Sequence, residues 1–258
     1  MSEGASRTDR VAVVTGGGGD IGGVTCARLA QDGWTVVVTD LDLARARDIA
    51  ESITGSGGRA RASELDVADP DRIRDLVART AEEFGRIDAV VCSAGVEPSQ
   101  DLADIDVGSW DLTLDVNLRG PALLAQAVLP WWTRQRSGAL VNIASRTWLG
   151  GGHPAYAASK AGLVGLTRSL ALELAPLGVT VNAVAPSFVR TRFSLQRGDD
   201  HTLDDYAERV RAATPMKELV RPEDVANAVA FLASEQAARI TGEVLHVCAG
   251  SQLPLFVS

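Results

Sequence analysis

The chain has 258 residues, 46% of them apolar and 22% charged, a mix that suits a soluble globular protein with a sizeable core. Its net charge of −8 and pI near 5.0 argue against nucleic acid or an anionic membrane as the partner. Cys26, Cys92 and Cys248 lie far apart with no C-x-x-C pair, so they read as buried thiols, and no metal site is expected.

The first element is the β-branched run VAVVT at 11–15, followed by the glycine turn TGGGGDIG at 15–22 and a helical pattern at 21–32. TVVVT at 35–39 and a helix at 42–55 come next. A strand at 60–65 and a helix at 70–84 follow, then DAVVC at 88–92 and a long helical stretch at 108–134. ALVNIA at 139–144 precedes a helix at 155–176. VTVNAV at 179–184, a helix at 222–234 and VLHVC at 244–248 complete the series. Several strands are apolar at consecutive positions, as strands covered on both faces are. The alternation predicts an α/β fold. It is a single-domain, Rossmann-like, doubly wound parallel sheet with helices on both faces, spanning residues 1–258. Ligands of such sheets bind at the C-terminal ends of the strands.

GGG at 150–152 and the polar stretch 192–216 read as mobile loops, the second as a substrate lid. No run approaches 18 uninterrupted apolar residues, and the N-terminal MSEGASRTDR lacks an apolar h-region. The expectation is a cytoplasmic protein with no membrane partner.

In the glycine turn, Gly16 permits a tight exit from the strand and Gly22 lets the next helix approach closely. The helix N-terminus then offers N–H groups to a pyrophosphate. Asp20 stands in the middle of this turn. Its expected role is to cap the helix with its side chain turned away from the phosphates. Asp40 ends the second strand, where an acid can hydrogen-bond both ribose hydroxyls. A helix N-cap before residues 41–43 is the alternative for Asp40. A carboxylate there repels a 2′-phosphate, and no Arg stands at 17, 18, 41 or 42. NAD(H) is therefore expected over NADP(H).

Tyr156 and Lys160 are spaced i, i+4, one turn apart on one helix face. A phenol has an ordinary pKa of about 10. Bringing it near neutrality requires roughly 4 kcal/mol of preferential stabilisation of the anion. An adjacent ammonium in a dry cleft can contribute that. Ser145, eleven residues upstream at the end of its strand, is placed to hydrogen-bond a substrate oxygen.

Over residues 8–250 the chain resembles the short-chain dehydrogenase/reductase family. The matching pieces, in the family's order, are Thr15-Gly16…Ile21-Gly22, Asp40, Asp66-Val67, Ser93-Ala94-Gly95, Asn117, Ser145, Tyr156-x-x-Ser159-Lys160, Pro186…Thr191 and ITGEVLHV at 240–247. The resemblance implies that Tyr156 is the general acid/base. Lys160 would lower its pKa and bind the nicotinamide ribose, and Ser145 would polarise the substrate oxygen. Asn117 would hold a water linking Lys160 to solvent. It also implies cofactor contacts from Gly16, Asp20, Ile21, Asp40, Asp66, Val67, Ala94, Gly95, Tyr156, Lys160, Pro186, Val189 and Thr191. Asp20, Ser93 and Ser187 depart from the family pattern.

By the same resemblance the substrate, a secondary alcohol or ketone, meets Val96, Glu97, Arg146, Trp148, His153, Phe188 and Phe193. Trp148 and Phe188 would form an apolar wall. Relatives are commonly homotetramers. The broad apolar surface of helix 155–176 and the C-terminal QLPLFVS fit such an assembly. A non-catalytic dinucleotide-binding sensor and a methyltransferase are the competing readings. The intact Asn117, Ser145, Tyr156 and Lys160 set argues against the sensor, and a methyltransferase would leave Tyr156 and Lys160 without a task.

Overall fold

The structure is a computed structural model that describes residues 10–194 and 200–253. Seven strands occur among them: β1 (Val11–Thr15), β2 (Thr35–Asp40), β3 (Arg59–Glu64), β4 (Ala89–Cys92), β5 (Gly138–Ile143), β6 (Val179–Pro186) and β7 (Val244–Val247). They form a parallel sheet in the order β3-β2-β1-β4-β5-β6-β7. The helices are α1 (Asp20–Gln31), α2 (Leu43–Gly55), α3 (Pro70–Phe84), α4 (Val107–Leu114), α5 (Gly120–Gln135), α6 (Thr147–Gly150), α7 (Pro154–Leu174), α8 (Asp200–Ala213) and α9 (Pro222–Leu232). The architecture is α/β and Rossmann-like.

β1 shows how the pattern dictates two-sided burial. Ala12 and Val14 enter one apolar cluster with Cys26 and Leu29 of α1 and Val225 and Val229 of α9. Val11 and Val13 enter the other with Ile73 of α3 and Leu124 and Val128 of α5. The side-chain period of two sends alternate residues to opposite faces, and helices cover both. Strand order reverses between β1 and β4, which leaves a crevice at their C-terminal ends.

Local signals set the helix starts. Asp42 caps α2, accepting from the N–H groups of Ala44 at 3.0 Å and Arg45 at 3.3 Å. Asp69 caps α3 in the same way, ahead of Pro70. Because Asp42 takes the cap of α2, Asp40 is left for another role.

Three expectations need correction. The stretch 108–134 is not one regular helix: a π-helical turn, Asp115–Arg119, separates α4 from α5. Such insertions cluster at functional sites, and this one carries Asn117. The stretch 192–216 is not simply loop, because α8 occupies residues 200–213 and buries Leu203 and Ala207; residues 195–199 lie outside the described residues. The Gly150 end of GGG belongs to the short helix α6. Of QLPLFVS, residues 254–258 lie outside the described residues, and Leu253 is exposed.

The three cysteines are buried and unbridged. Among the described residues no helix is long and apolar enough to cross a membrane. No cluster of metal-ligating side chains occurs among them either.

Candidate active site

A cavity of about 460 Å³ opens along the C-terminal edge of the sheet. Its floor comes from the turn after β1 and from the segments after β4, β5 and β6. Its walls come from α7 and the beginning of the 192–216 segment.

At one end, Gly16, Asp20, Ile21 and Asp40 line the cavity. The glycines there are steric requirements. Gly16 has φ +64°, and a Cβ on it would lie 2.8 Å from the Ala94 Cα; a Cβ on Gly22 would lie 2.0 Å from the Gly16 carbonyl oxygen. The turn thus folds tightly against the segment after β4 and against its own helix. The first turn of α1 leaves the N–H groups of Asp20, Ile21 and Gly22 without intrahelical partners at the crevice. Asp40 accepts from the N–H of Gly18 and of Asp42, one carboxylate oxygen each, at 3.0 Å. Its side chain is thereby fixed with lone pairs to spare.

Asp20 does not cap α1. The N-cap is Gly19, and Asp20 is the first helical residue. Its carboxylate reaches the far wall instead, accepting from the backbone N–H of Arg192 at 2.6 Å and from its Nε at 3.2 Å. Arg192 also donates to the Gly18 carbonyl at 3.2 Å. An ion pair therefore ties the glycine turn to the beginning of the 192–216 segment.

Ala94 and Gly95 line the middle of the cavity, as do Pro186, Val189 and Thr191. The turn at Ser93 is held from β1: Thr15 Oγ1 accepts from the N–H of Ser93 and of Ala94 at 3.2 Å each. Asp66 and Val67 are not among the lining residues. The Asp66 carboxylate accepts from the Ala68 N–H at 2.8 Å in a local turn, and Val67 packs into the core.

Ser145, Tyr156 and Lys160 meet at the other end. The helical spacing of α7 does bring Tyr156 and Lys160 together, with the Lys160 Nζ 5.5 Å from the centre of the Tyr156 ring. Both are buried, and the Nζ donates to the Ile143 carbonyl at 2.8 Å. Burial lowers the Lys160 pKa to about 8, while the Glu97 carboxylate pushes it back up. Asn117 sits behind this wall, 1% exposed. Its amide clamps Val96 from both sides, accepting from its N–H and donating to its carbonyl at 2.9 Å each, and it also donates to Ser159 at 3.1 Å.

Of the candidates for substrate contact, Glu97, Arg146, Phe188 and Phe193 line the cavity, whereas Val96 does not and is held by Asn117. Trp148 does not either. It stacks on His246 at 6.0 Å and packs near Ala144 and Val164. The apolar wall is formed instead by Phe188, Phe193 and Tyr206, with Tyr206 of α8 edge-on to Phe188 at 5.0 Å. His153 is also absent from the lining and stands beside Glu97. Arg45, Arg192 and Tyr206 line the cavity without having been picked out by sequence reasoning. Tyr206 had a signal, since Leu203, Tyr206 and Ala207 share one helical face. Arg192 had none, as its partner lies 172 residues away.

Residues 18–252 match the family profile described as enoyl-(acyl carrier protein) reductase. BbsD, a (2S)-[(R)-hydroxy(phenyl)methyl]succinyl-CoA dehydrogenase subunit of Thauera aromatica, is 37% identical over 246 residues, covering 95% of this chain and 97% of BbsD. The chain belongs to the short-chain dehydrogenase/reductase family. Other relatives in this family include the 3-oxoacyl-[acyl-carrier-protein] reductase FabG of Thermotoga maritima, 33% identical across 93% of this chain and 97% of FabG. The cis-4-hydroxycyclohexanecarboxylate dehydrogenase of Sinomonas cyclohexanicum is 38% identical across 96% of this chain and 98% of that enzyme. The crystal structure of gox2181 superposes with a TM-score of 0.87 at 35% identity, covering 94% of this chain and 95% of that one. As a short-chain dehydrogenase/reductase the protein is an oxidoreductase acting on hydroxyl or keto substrates with a nicotinamide cofactor. The crevice fits such a group: its glycines leave no space for a Cβ, helix N–H groups converge on it, and a fixed carboxylate stands at its far end.

Proposed function

We propose that the protein moves a hydride between NAD(H) and a secondary alcohol or ketone, with Tyr156 as general acid/base. The observation that carries this reading is the juxtaposition of Tyr156, Lys160 and Ser145 at one end of the cavity whose other end is the glycine turn. A nicotinamide dinucleotide, when bound, supplies the hydride acceptor for oxidation and the donor for reduction. Gly16, Ile21 and the start of α1 would hold its pyrophosphate, Ala94, Gly95 and Lys160 its ribose, and Pro186, Val189 and Thr191 its carboxamide. Asp66 and Val67, in the segment that the Leu65 N–H pins to the Asp40 carbonyl at 2.9 Å, would serve the adenine.

In oxidation, Tyr156 takes the hydroxyl proton of the substrate and Ser145 steadies the oxygen. Lys160, with a pKa near 8, is mostly ammonium at neutral pH and favours the phenolate. Asn117 positions the segment from Gly95 to Glu97 by clamping Val96. Phe188, Phe193 and Tyr206 exclude water from the reacting carbon, and the 192–216 segment acts as their lid. Arg146 is the cation that would meet an acidic group on the substrate, such as the carboxylate named for the Sinomonas relative.

The choice of NAD over NADP rests on Asp40, whose carboxylate is held at the cavity by two backbone N–H groups. Arg45 reaches the same end, but Asp42 engages its Nε at 3.2 Å. Calorimetric titration checks this choice: NAD is expected to bind at least tenfold tighter than NADP, and Asp40→Ser to narrow the gap. Assembly as a homotetramer belongs to the same proposal, supported by the exposed apolar side chains Val107 and Leu112 of α4 and Leu172 of α7.

The activity is tested with a panel of secondary alcohols and ketones followed by NADH absorbance. Wild type turns over at least one, and Tyr156→Phe loses turnover by about a hundredfold or more while still quenching or enhancing NADH fluorescence. A Tyr156→Phe variant that binds NADH and keeps full turnover would remove the proposed chemistry. A wild type that binds NADH but turns over nothing would favour the sensor.

A further inference from the structure

The clamp on Val96 presents a buried acid that the mechanism above does not use. Glu97 is 1% exposed, which leaves it almost no surface for a substrate to touch. It stands in the same cavity wall as Lys160, and the two charges act on each other. Gly95, two residues earlier, lies so close that a Cβ on it would be 3.7 Å from the Lys160 Nζ. On its other side, a Glu97 oxygen lies 3.3 Å from His153 Nδ1, within hydrogen-bond range but off its axis. His153 Nε2 lies 3.3 Å from Ser99 Oγ. Exposure rises along this series: Lys160 and Glu97 are buried, His153 is half-buried, and Ser99 is at the surface.

We propose that, because the Asn117 amide expected to hold a relay water is taken up by Val96 and Ser159, Glu97 and His153 form the proton exit that links Lys160 to solvent at Ser99. The inference rests on the reading of Tyr156 as the acid/base. An imidazole is suited to the outer position because it can take a proton at one ring nitrogen while releasing one from the other. Here Nδ1 faces inward to the carboxylate and Nε2 faces outward to the hydroxyl. The transfer requires the ring to turn so that Nδ1 meets the carboxylate on axis.

The bookkeeping closes with one proton in and one out. For each alcohol oxidised, the carbinol C–H leaves as hydride with its electron pair, to the oxidised nicotinamide, and the O–H proton goes to Tyr156. Tyr156 must shed that proton before the next turnover. Lys160 accepts it as it passes one of its own N–H protons to Glu97, through a cavity water where the gap requires one. Glu97 passes a proton to His153 Nδ1, the Nε2 proton leaves at Ser99, and exchange of the ring protons with solvent returns the imidazole to its Nε2–H tautomer. In reduction the same steps run inward. The titratable groups facing Lys160 are Glu97 from the segment after β4, Tyr156 from its own helix, and Cys92 from β4. Burial pushes the Cys92 thiol up to about 12, so it stays protonated and takes no part.

The test follows two signals in a single turnover with NAD and the secondary alcohol that the panel identifies: NADH absorbance, and proton release to a pH-indicator dye. In wild type the two coincide. In His153→Ala, NADH still forms but proton release and steady-state turnover slow by about tenfold or more, and added imidazole restores both. Glu97→Gln shows the same lag without rescue by imidazole. A merely structural role for His153 would not produce a lag that a small base repairs. If His153→Ala does not fold, the half-exposed site permits His153→Gln, which must show the lag. Proton release that keeps pace with NADH in the histidine variant overturns the proposal. The same follows if turnover is indifferent to imidazole. If Tyr156→Phe retains full turnover, or no alcohol is oxidised, the underlying acid/base reading fails and the exit fails with it. An inactive Tyr156→Phe beside a His153→Ala without a lag leaves that reading standing and rejects the exit alone.

Discussion

At the scale of single residues, Lys160 holds the clearest conflict between stability and chemistry. A buried ammonium is costly unless compensated, and burial lowers its pKa from 10.5 to about 8. Between those values the unfolded chain keeps a proton that the folded chain has lost. Stability therefore rises with pH across that window. Relative to Lys160→Met, wild type is expected to gain about 3 kcal/mol of unfolding free energy between pH 8 and pH 10.5. Denaturant titrations of both proteins at the two pH values check this, and parallel curves would show that the amine is not desolvated. Tyr156, Lys160 and Ser145 were legible in the sequence because helical spacing and a strand end fix them locally. Trp148 was not. Its indole turns to His246, a packing choice that no local pattern reveals.

At the scale of elements, the glycine turn is tied to Arg192 at the beginning of the 192–216 segment. Asp20 in the turn pairs with Arg192. A capping role was the natural inference from an Asp at a helix start. It is displaced because Gly19 occupies the cap and a guanidinium from the far end of the chain claims the carboxylate. Both side chains keep substantial exposure, so the pair contributes only about 0.2–1 kcal/mol to stability. In the proposed function the effect of the pair falls on the cofactor. There the carboxylate would lie near the pyrophosphate and be offset by Arg192, so Asp20→Gly is expected to change the NADH dissociation constant less than about tenfold. Arg192→Ala, which leaves Asp20 uncompensated, is expected to weaken NADH several-fold and speed its release. Stopped-flow fluorescence measures both. A gain in affinity far beyond tenfold in Asp20→Gly would show that the carboxylate opposes the phosphates directly. The π-helical turn at Asp115–Arg119 was hidden for a different reason. One extra residue in the helical ladder barely disturbs the apolar stripe, yet it points Asn117 inward to clamp Val96.

At the scale of the whole molecule, the sheet was readable from β-branched runs buried on both faces, and the crevice from the glycine turn and Asp40. Helix α8 was not, because its composition is polar; among its described side chains Leu203 and Ala207 are buried and Tyr206 lines the cavity. The fold places Glu97 and His153 together from segments 56 residues apart, and such convergence exists only in three dimensions. The same convergence brings the phenol, the ammonium and the dinucleotide crevice into one cavity. The most direct test of that arrangement is isotopic: a panel alcohol carrying deuterium on its carbinol carbon is oxidised with NAD, and the nicotinamide product is examined by mass spectrometry. The account predicts one deuterium in the NADH formed by wild type and none above background with Tyr156→Phe. Oxidation that releases the deuterium to water, or equal transfer by both proteins, would contradict it.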